Sequence, residues 1–400
     1  MYPDFSYIAH AIFGTQPDNW LSMIKTFGFT LAIAFIVSAV VYYRELKRKS
    51  KEGFFQSAKV TMTEGEPASM SDILSNALVG LLLFGKGVYA VQHFDVFKHD
   101  PAPIILSTKL HWQAGLFGAV FFAVLTWWDA HRKRKNPPVS KEVTVWPHDR
   151  ISEITIWAAV GGIVGAKVFD LFDNWQAFLR DPIGALTSGG GLAFFGGLLL
   201  GFVAVVAYLR HHKIPFWPSA DAVAPALTAG YGVGRIGCQM AGDGDWGIVN
   251  NNPKPDILSF LPDWMWAYRY PHNVLDITYT EPPNPNVPMP DCSWEYCMQL
   301  AQPVYPTPFY ETLMMAVVFA ILWSLRKRIT IPGMLFFIYL ALIAIERFLI
   351  EKIRVNVVHK VMGVQLTQAE IISIVLFLIS VAGGIYVWKT NKAVGSSSGQ

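Results

Sequence analysis

Nine stretches of mostly apolar residues dominate the chain, each close to the length a helix needs to cross about 30 Å of hydrocarbon. They run approximately over 20–43, 73–92, 112–130, 152–172, 189–209, 221–241, 307–325, 332–350 and 367–388. A lipid-exposed segment must satisfy its own backbone hydrogen bonds, and a helix is the local way to do so. Charge points the same way. Only 15% of the 400 residues are charged, against roughly 25% in a soluble domain, and 52% are apolar. These figures and a net charge of +3 exclude a disordered chain, a coiled coil and a nucleic-acid binder built on a basic face. The expected fold class is an all-α polytopic integral membrane protein. The second stretch is the weakest, because Lys86 lies inside it.

Orientation follows from the basic residues. Arg44, Lys47, Arg48, Lys49, Lys51 and Lys59 follow the first span, and a basic loop stays cytoplasmic. The N-terminus is then outside and, after nine spans, the C-terminus inside. Lys and Arg are concentrated in the segments that this assignment makes cytoplasmic. The first span does not read as a cleaved signal peptide: its apolar run is too long and its positive charges come after it. Residues 44–72 and 131–150 read as charged cytoplasmic connectors, and Gly395–Gln400 as a flexible tail. The loop 243–306 lies outside and is rich in Pro, Asn, Asp and Trp, so it reads as turns and short elements. It contains Cys292 and Cys297. A disulfide between them is permitted there, with two free thiols as the alternative. Only His272 is at hand to complete a zinc site, which is too few ligands. No internal repeat appears, which weighs against many transporter folds.

Ionisable residues inside spans are costly and default to functional hypotheses. Those lying deepest are Lys86, Lys167, Asp170, Asp221, Arg235, Glu311, Glu346, Arg347 and Glu351. The strongest local signal is Gly230–Gly247, with seven glycines in eighteen residues, Arg235 among them and Asp243 and Asp245 near its end. Glycines admit close backbone approach, and a guanidinium fork suits a phosphate. Small-residue helix packing around a snorkelling arginine is the competing reading. For the second cluster, Gly189–Gly197, packing is the better reading. Arg347 and Glu351 are four apart and share a helix face, as a structural brace or as a held phosphate ligand, while Glu346 and Arg354 read as interfacial. Tyr305–Glu311 enters the seventh span, with Thr307 placed to cap, Pro308 in the first turn and Glu311 near the positive helix end. Two arginines and a glycine-rich turn at the outer face suit an anionic lipid headgroup.

Gly234-Arg235-Ile236-Gly237…Gly242 resembles the signature of prolipoprotein diacylglyceryl transferases. Gly161–Lys167, Gly189–Gly201, Pro306–Glu311 and the Arg347/Glu351 pair resemble further segments of that family in the same order, over residues 20–50 and 150–388. The resemblance implies a seven-helix transferase core with a small irregular periplasmic head, to which this chain adds two inserted helices. Its segments would be 1–51 (first core span), 52–146 (inserted connector and hairpin), 147–242 (core spans with the signature), 243–306 (head), 307–390 (last core spans) and 391–400 (tail). The implied activity moves a diacylglyceryl group from phosphatidylglycerol to the lipobox cysteine of a preprolipoprotein signal peptide, in the bacterial inner membrane. It implies a monomer with no cofactor, metal or nucleic acid.

By the same resemblance the catalytic residues are Arg235, Arg347, Glu351 and Asp243. Phospholipid would be bound by Arg235, Gly237, Gly242, Tyr310, Arg347, Gly196 and Gly197. The chain also departs from the family. Phe195 replaces its histidine, Cys238 an asparagine and Phe27 a tyrosine, and the acidic position after the signature is Asp243 or Asp245. Phe195 cannot accept a proton. The candidates to take the thiol proton are Asp243, Asp245, Glu351 and His272, or local positive charge alone suffices. The reading from a different class is a non-catalytic phospholipid-binding homologue, motivated by the lost histidine and tyrosine. A transporter or channel is the third.

Overall fold

The computed structural model describes residues 1–64, 66–99, 104–105, 107–135, 139–187, 193–275, 284–355, 358–361 and 364–397. Gly189, Gly190, Gly191 and Leu192 of the second glycine cluster lie outside them. The described residues are mostly helical. A short helix α1 (Phe5–Phe13) precedes nine long ones: α2 (Thr26–Lys51), α3 (Met70–Gln92), α4 (Trp112–Arg132), α5 (Ile151–Asp173), α6 (Phe194–His211), α7 (Phe216–Ala241), α8 (Thr307–Leu325), α9 (Met334–Glu351) and α10 (Gln368–Ser397). Every apolar stretch read from the sequence holds one of them. Six are long and apolar enough to cross a membrane by length and composition: α2, α3, α4, α5 with the turn before it, α8 and α10. Among the described residues the other three, α6, α7 and α9, fall short of that measure. The apolar part of α6 is a shorter helix, Phe195–His211. Helix α7 carries Asp221 and Arg235 among glycines and alanines, and α9 carries Glu346, Arg347 and Glu351 in its last turns. These helices depend on neighbours to cover their polar groups. The chain is a multi-pass membrane protein.

The chain divides into two compact units, 1–54 with 215–400, and 55–214. In the first, α7 packs on α2 and α8, and α9 on α8 and α10. Met315, Val318, Leu322 and Leu335 form the core between α8 and α9. Buried ion pairs tie the helices at one end. Glu45 on α2 pairs with Arg48 at 2.7 Å and with Arg326, just past α8, at 2.9 Å. Asp221 on α7 is 1% exposed. It accepts hydrogen bonds from the backbone N–H of Gly333 (2.9 Å) and Phe336 (3.0 Å) and meets Lys49 at 3.2 Å. The N-terminus of α9 is thus capped from another helix, since its own N-cap is Gly333.

In the second unit, α3 pairs with α4 and α5 with α6. Glycines set both contacts. A Cβ on Gly165 or Gly196 would run into the other's backbone carbonyl, so only hydrogen lets α5 and α6 come so close. Lys86 in α3 donates to the carbonyls of Ile104, Ser107 and Lys109. The weak point of the second span is therefore an ammonium that satisfies a turn. The connectors are more ordered than expected. Strands β1 (Ala58–Glu64) and β2 (Val139–Val145) form an antiparallel ribbon from Ala58↔Val145 to Glu64↔Val139. Period-two alternation in Ala58-Lys59-Val60-Thr61-Met62 was its sequence signal.

The head contains 3-10 turns at Asp256–Leu258 and Asp263–Met265 and the short pair β3 (Asn286–Pro288) and β4 (Met298–Leu300). Trp246, Tyr270, Leu300 and Val304 are its core. Cys292 and Cys297 are joined by a disulfide, their Cα atoms 5.6 Å apart. Helix α10 continues to Ser397, into the segment read as a tail.

Two outcomes test this account. Asp221→Ala strands Lys49 and two backbone donors, so a loss of about 3–5 kcal/mol is expected, read as a lower unfolding midpoint in detergent. Replacing residues 65–138 by Asn-Gly closes the ribbon where Glu64 pairs with Val139. That variant is expected to fold and to keep the parent's activity; a folded but inactive product would make the α3–α4 hairpin part of the working site.

Candidate functional site

Three chain segments converge at the end of α7. The helix stops at Gly242, whose φ of +65° is the left-handed conformation that favours glycine. A Cβ there would lie 2.9 Å from the Cβ of Asn273. The chain then turns through Asp243, Gly244 and Asp245 and runs as an extended segment between the entry to α8 and the exit from α9. Gly247 N–H donates to the Tyr305 carbonyl (2.9 Å), and Ile248 N–H to that of Ile353 (2.8 Å). Thr307 does not cap α8, whose N-cap is Pro306. Its hydroxyl instead donates to the Asp245 carbonyl at 2.7 Å. This backbone pairing brings residues from three distant parts of the sequence together.

The result is a cluster of three arginines and three carboxylates. Glu311, with a fully buried side chain, is its centre. It meets Arg235 Nε at 2.5 Å, Arg354 at 3.3 Å and Arg347 at 3.5 Å. Asp245 pairs with Arg235 and, at 2.6 Å, with Arg354. Glu351 pairs with Arg347 at 3.1 Å. Arg235 also lies over the Tyr231 ring, 5.2 Å from its centroid. The arginines differ in access: the Arg347 side chain is 29% exposed, that of Arg235 15% and that of Arg354 12%. Arg347 is therefore the arm most open to a ligand.

The acidic turn splits into two roles. Burial pushes the Asp245 carboxyl up, but the Arg235 and Arg354 guanidiniums outweigh it and hold the group below the usual carboxylate range. Among the described residues, no arginine forms an ion pair with Asp243. Burial pushes its carboxyl up, and the charge of Asp245 adds to the effect. It accepts from the Asp245 N–H at 3.3 Å and faces the Cys238 thiol. Of the acidic pair, Asp245 is thus the arginine partner, while Asp243 is the one turned to the thiol. The thiol and one oxygen of each carboxylate lie within 4.8 Å of one another. Arg235 stands over that group, which makes it a poor cation site.

The other sequence candidates find different places. Gly237 lies against Thr30 of α2, so it serves helix approach. The Tyr310 hydroxyl donates to the Met265 carbonyl at 2.7 Å, which fastens the head to α8. Gly196 and Gly197 belong to the second unit and pack on α5. His272 is held by its ring nitrogen at the Tyr296 carbonyl (2.7 Å) and stacks on Trp294, and burial pushes its pKa down. Reading from the sequence underrated Arg354, taken as interfacial, and Glu311, explained as a dipole-favoured residue. A signal for Arg354 existed: it lies seven residues after Arg347 and three after Glu351, the spacing of one helix face.

Fold and site define a polytopic membrane protein that gathers three guanidiniums at the end of a glycine-rich helix. The sequence profile of the prolipoprotein diacylglyceryl transferase family matches residues 139–386, and the chain belongs to that family. It is 30% identical over 249 residues to the phosphatidylglycerol--prolipoprotein diacylglyceryl transferase of Corynebacterium efficiens, covering 61% of this chain and 70% of that protein. To the protein of the same name from Trichormus variabilis it is 26% identical over 297 residues, covering 71% and 89%. For that of Shouchella clausii the figures are 25% over 243 residues, 60% and 76%.

The cluster should behave as one coupled unit. In a double-mutant cycle, Arg354→Ala and Asp245→Ala are expected to be non-additive in unfolding free energy by about 0.5–3 kcal/mol, the range for residues in one ion-pair network. Additive losses in detergent-solubilised protein would show that the pair at 2.6 Å carries no coupling.

Proposed function

We infer that this chain transfers the diacylglyceryl group of phosphatidylglycerol to the cysteine thiol of a prolipoprotein, releasing glycerol phosphate. The observation that carries the reading is the arginine cluster around Glu311, in a chain that belongs to the transferase family. The acceptor is the lipobox cysteine of the signal peptide. The protein acts as a monomer in the bacterial inner membrane, N-terminus outside and C-terminus inside.

The reaction exchanges one bond for another. The thiolate sulfur attacks the glycerol carbon that bears the phosphate, a C–S bond forms, and the C–O bond breaks with its electron pair leaving on the phosphate. No electron-sink or redox group is needed for that exchange. Arg347, the most open of the three, meets the phosphate first, and Arg235 completes the clamp. Guanidiniums placed where negative charge grows are worth most in a site screened from water. Glu351 holds Arg347 in position, and Gly242 shapes the turn beneath. Gly237 serves the site through helix packing, and Tyr310 through its hold on the head.

The thiol must lose its proton before it attacks. Asp245 and Glu351 are engaged by arginines, and His272 sits in the head with its ring held. Asp243 is the remaining candidate, and the rise in its pKa brings it nearer a base's working range. Phe195, in the place of the family histidine, then need not be replaced in kind.

The test mixes purified protein with phosphatidylglycerol vesicles and a lipobox peptide and follows the peptide's mass. Arg347→Ala is expected to lower the rate about a hundredfold to a thousandfold, as for loss of one donor to a developing anion. Because the ionised form of Asp243 is the base, the wild-type rate should rise with pH through a midpoint above the ordinary carboxylate range. Asp243→Asn should abolish that limb. No mass gain with any peptide would overturn the reading, and an unchanged limb in Asp243→Asn would remove Asp243 as the base.

A further inference from the structure

Glu346 is buried, 3% exposed, and neither of its carboxyl oxygens has a hydrogen-bond partner among the described residues. It lies on α9 beside Arg347. The charged groups that act on it are Glu311 from α8, Arg235 from α7, and Arg347 and Arg354 from its own segment. Tyr231 of α7 and Tyr339 of α9 also feel its charge. A buried carboxyl with both oxygens unmet is rare, because each lost its water and gained nothing in return.

Charge decides what could meet it. Arg235, Arg347 and Arg354 are already matched by Asp245, Glu311 and Glu351. Glu346 is a fourth carboxyl beside three cations. A phosphate at the arginines adds another negative charge, so Glu346 is not a phosphate ligand. Four carboxyls facing three guanidiniums would admit an ammonium by charge, but an ammonium only donates and offers no acceptor to a carboxyl that holds its proton. A neutral hydroxyl is compatible with both constraints, and it both donates and accepts, so it satisfies a carboxyl whether or not that carboxyl is ionised. Two unmet oxygens call for two hydroxyls.

We propose that Glu346 receives the hydroxyl groups at the end of the phospholipid headgroup, and so selects a donor lipid whose phosphate carries a vicinal diol. The proposal rests on the phosphatidylglycerol reading above and assigns the part of that substrate which the arginines do not touch. A site built to bond a hydroxyl discriminates strongly against an analogue that lacks it, because its own polar group is then stranded.

The experiment titrates the purified full-length protein in detergent with three lipids of identical acyl chains: phosphatidylglycerol, phosphatidylmethanol, which keeps the phosphodiester but has no hydroxyl, and phosphatidylethanolamine. Bound lipid is read by native mass spectrometry, and transfer is measured in parallel. The wild-type protein is expected to prefer phosphatidylglycerol to phosphatidylmethanol by about tenfold or more. Glu346→Met should erase that preference by weakening phosphatidylglycerol alone. Glu346→Gln, close in shape and retaining one acceptor oxygen, should fall between and carries the test should the Met variant not fold. Equal affinity of the wild-type protein for these two lipids overturns the proposal. So does a preference that survives both substitutions, a loss equal for all three lipids, or wild-type preference for phosphatidylethanolamine. Glu346-dependent binding with no transfer by the wild-type protein would sink the transferase reading and leave this one standing.

Discussion

A fully buried carboxylate that touches three arginines is the interaction on which the site depends. Glu311 lies on α8 and holds Arg235 of α7 together with Arg347 and Arg354 of α9 and the turn after it. Each arginine alone would be costly at membrane depth, and Glu311 alone costlier still. Together they lower one another's cost and fix how three helices meet. Removing one partner from such a set is far worse than never having it, since the others keep their charge without compensation.

The same principle operates at the other end of the unit, with Asp221 capping α9 across helices and Glu45 gripping Arg326. Apolar matching cannot position helices sharply in lipid, because the tails are as apolar as the side chains. Polar clusters and close glycine contacts can. The first unit relies mostly on the former, the α5–α6 pair of the second mostly on the latter. The head adds a third device. Its extended segment pairs with both the entry to α8 and the exit from α9, so the acidic turn of 243–245 is carried to the arginines by backbone hydrogen bonds.

Much of the site was legible in the chain. The glycine-rich run around Arg235 and the spacing of Arg347 and Glu351 pointed to guanidiniums at one face. What stayed hidden was which acid belonged to which base. Asp243 and Asp245 are two residues apart and equally acidic in the sequence. Only the turn at Gly242 and the pairing at Gly247 decide that Asp245 reaches the arginines while Asp243 faces Cys238. Arg354 looked interfacial because it follows the apolar part of its helix, yet its partners lie 43 and 109 residues away.

The sequence by itself determined the class of molecule, the places of its long helices and the residues rich enough in charge to matter, because hydrophobic length and helical period are local properties. It also marked Lys86 as anomalous without saying why. The tertiary structure decided that α7 and α9 rely on neighbours to cover their charges, that the connectors pair as a ribbon, and that Glu311 rather than Glu351 is the hub of the arginines. Those outcomes depend on which groups meet across space when water is excluded, and in a medium where every unpaired charge is expensive, that meeting cannot be read from order along the chain.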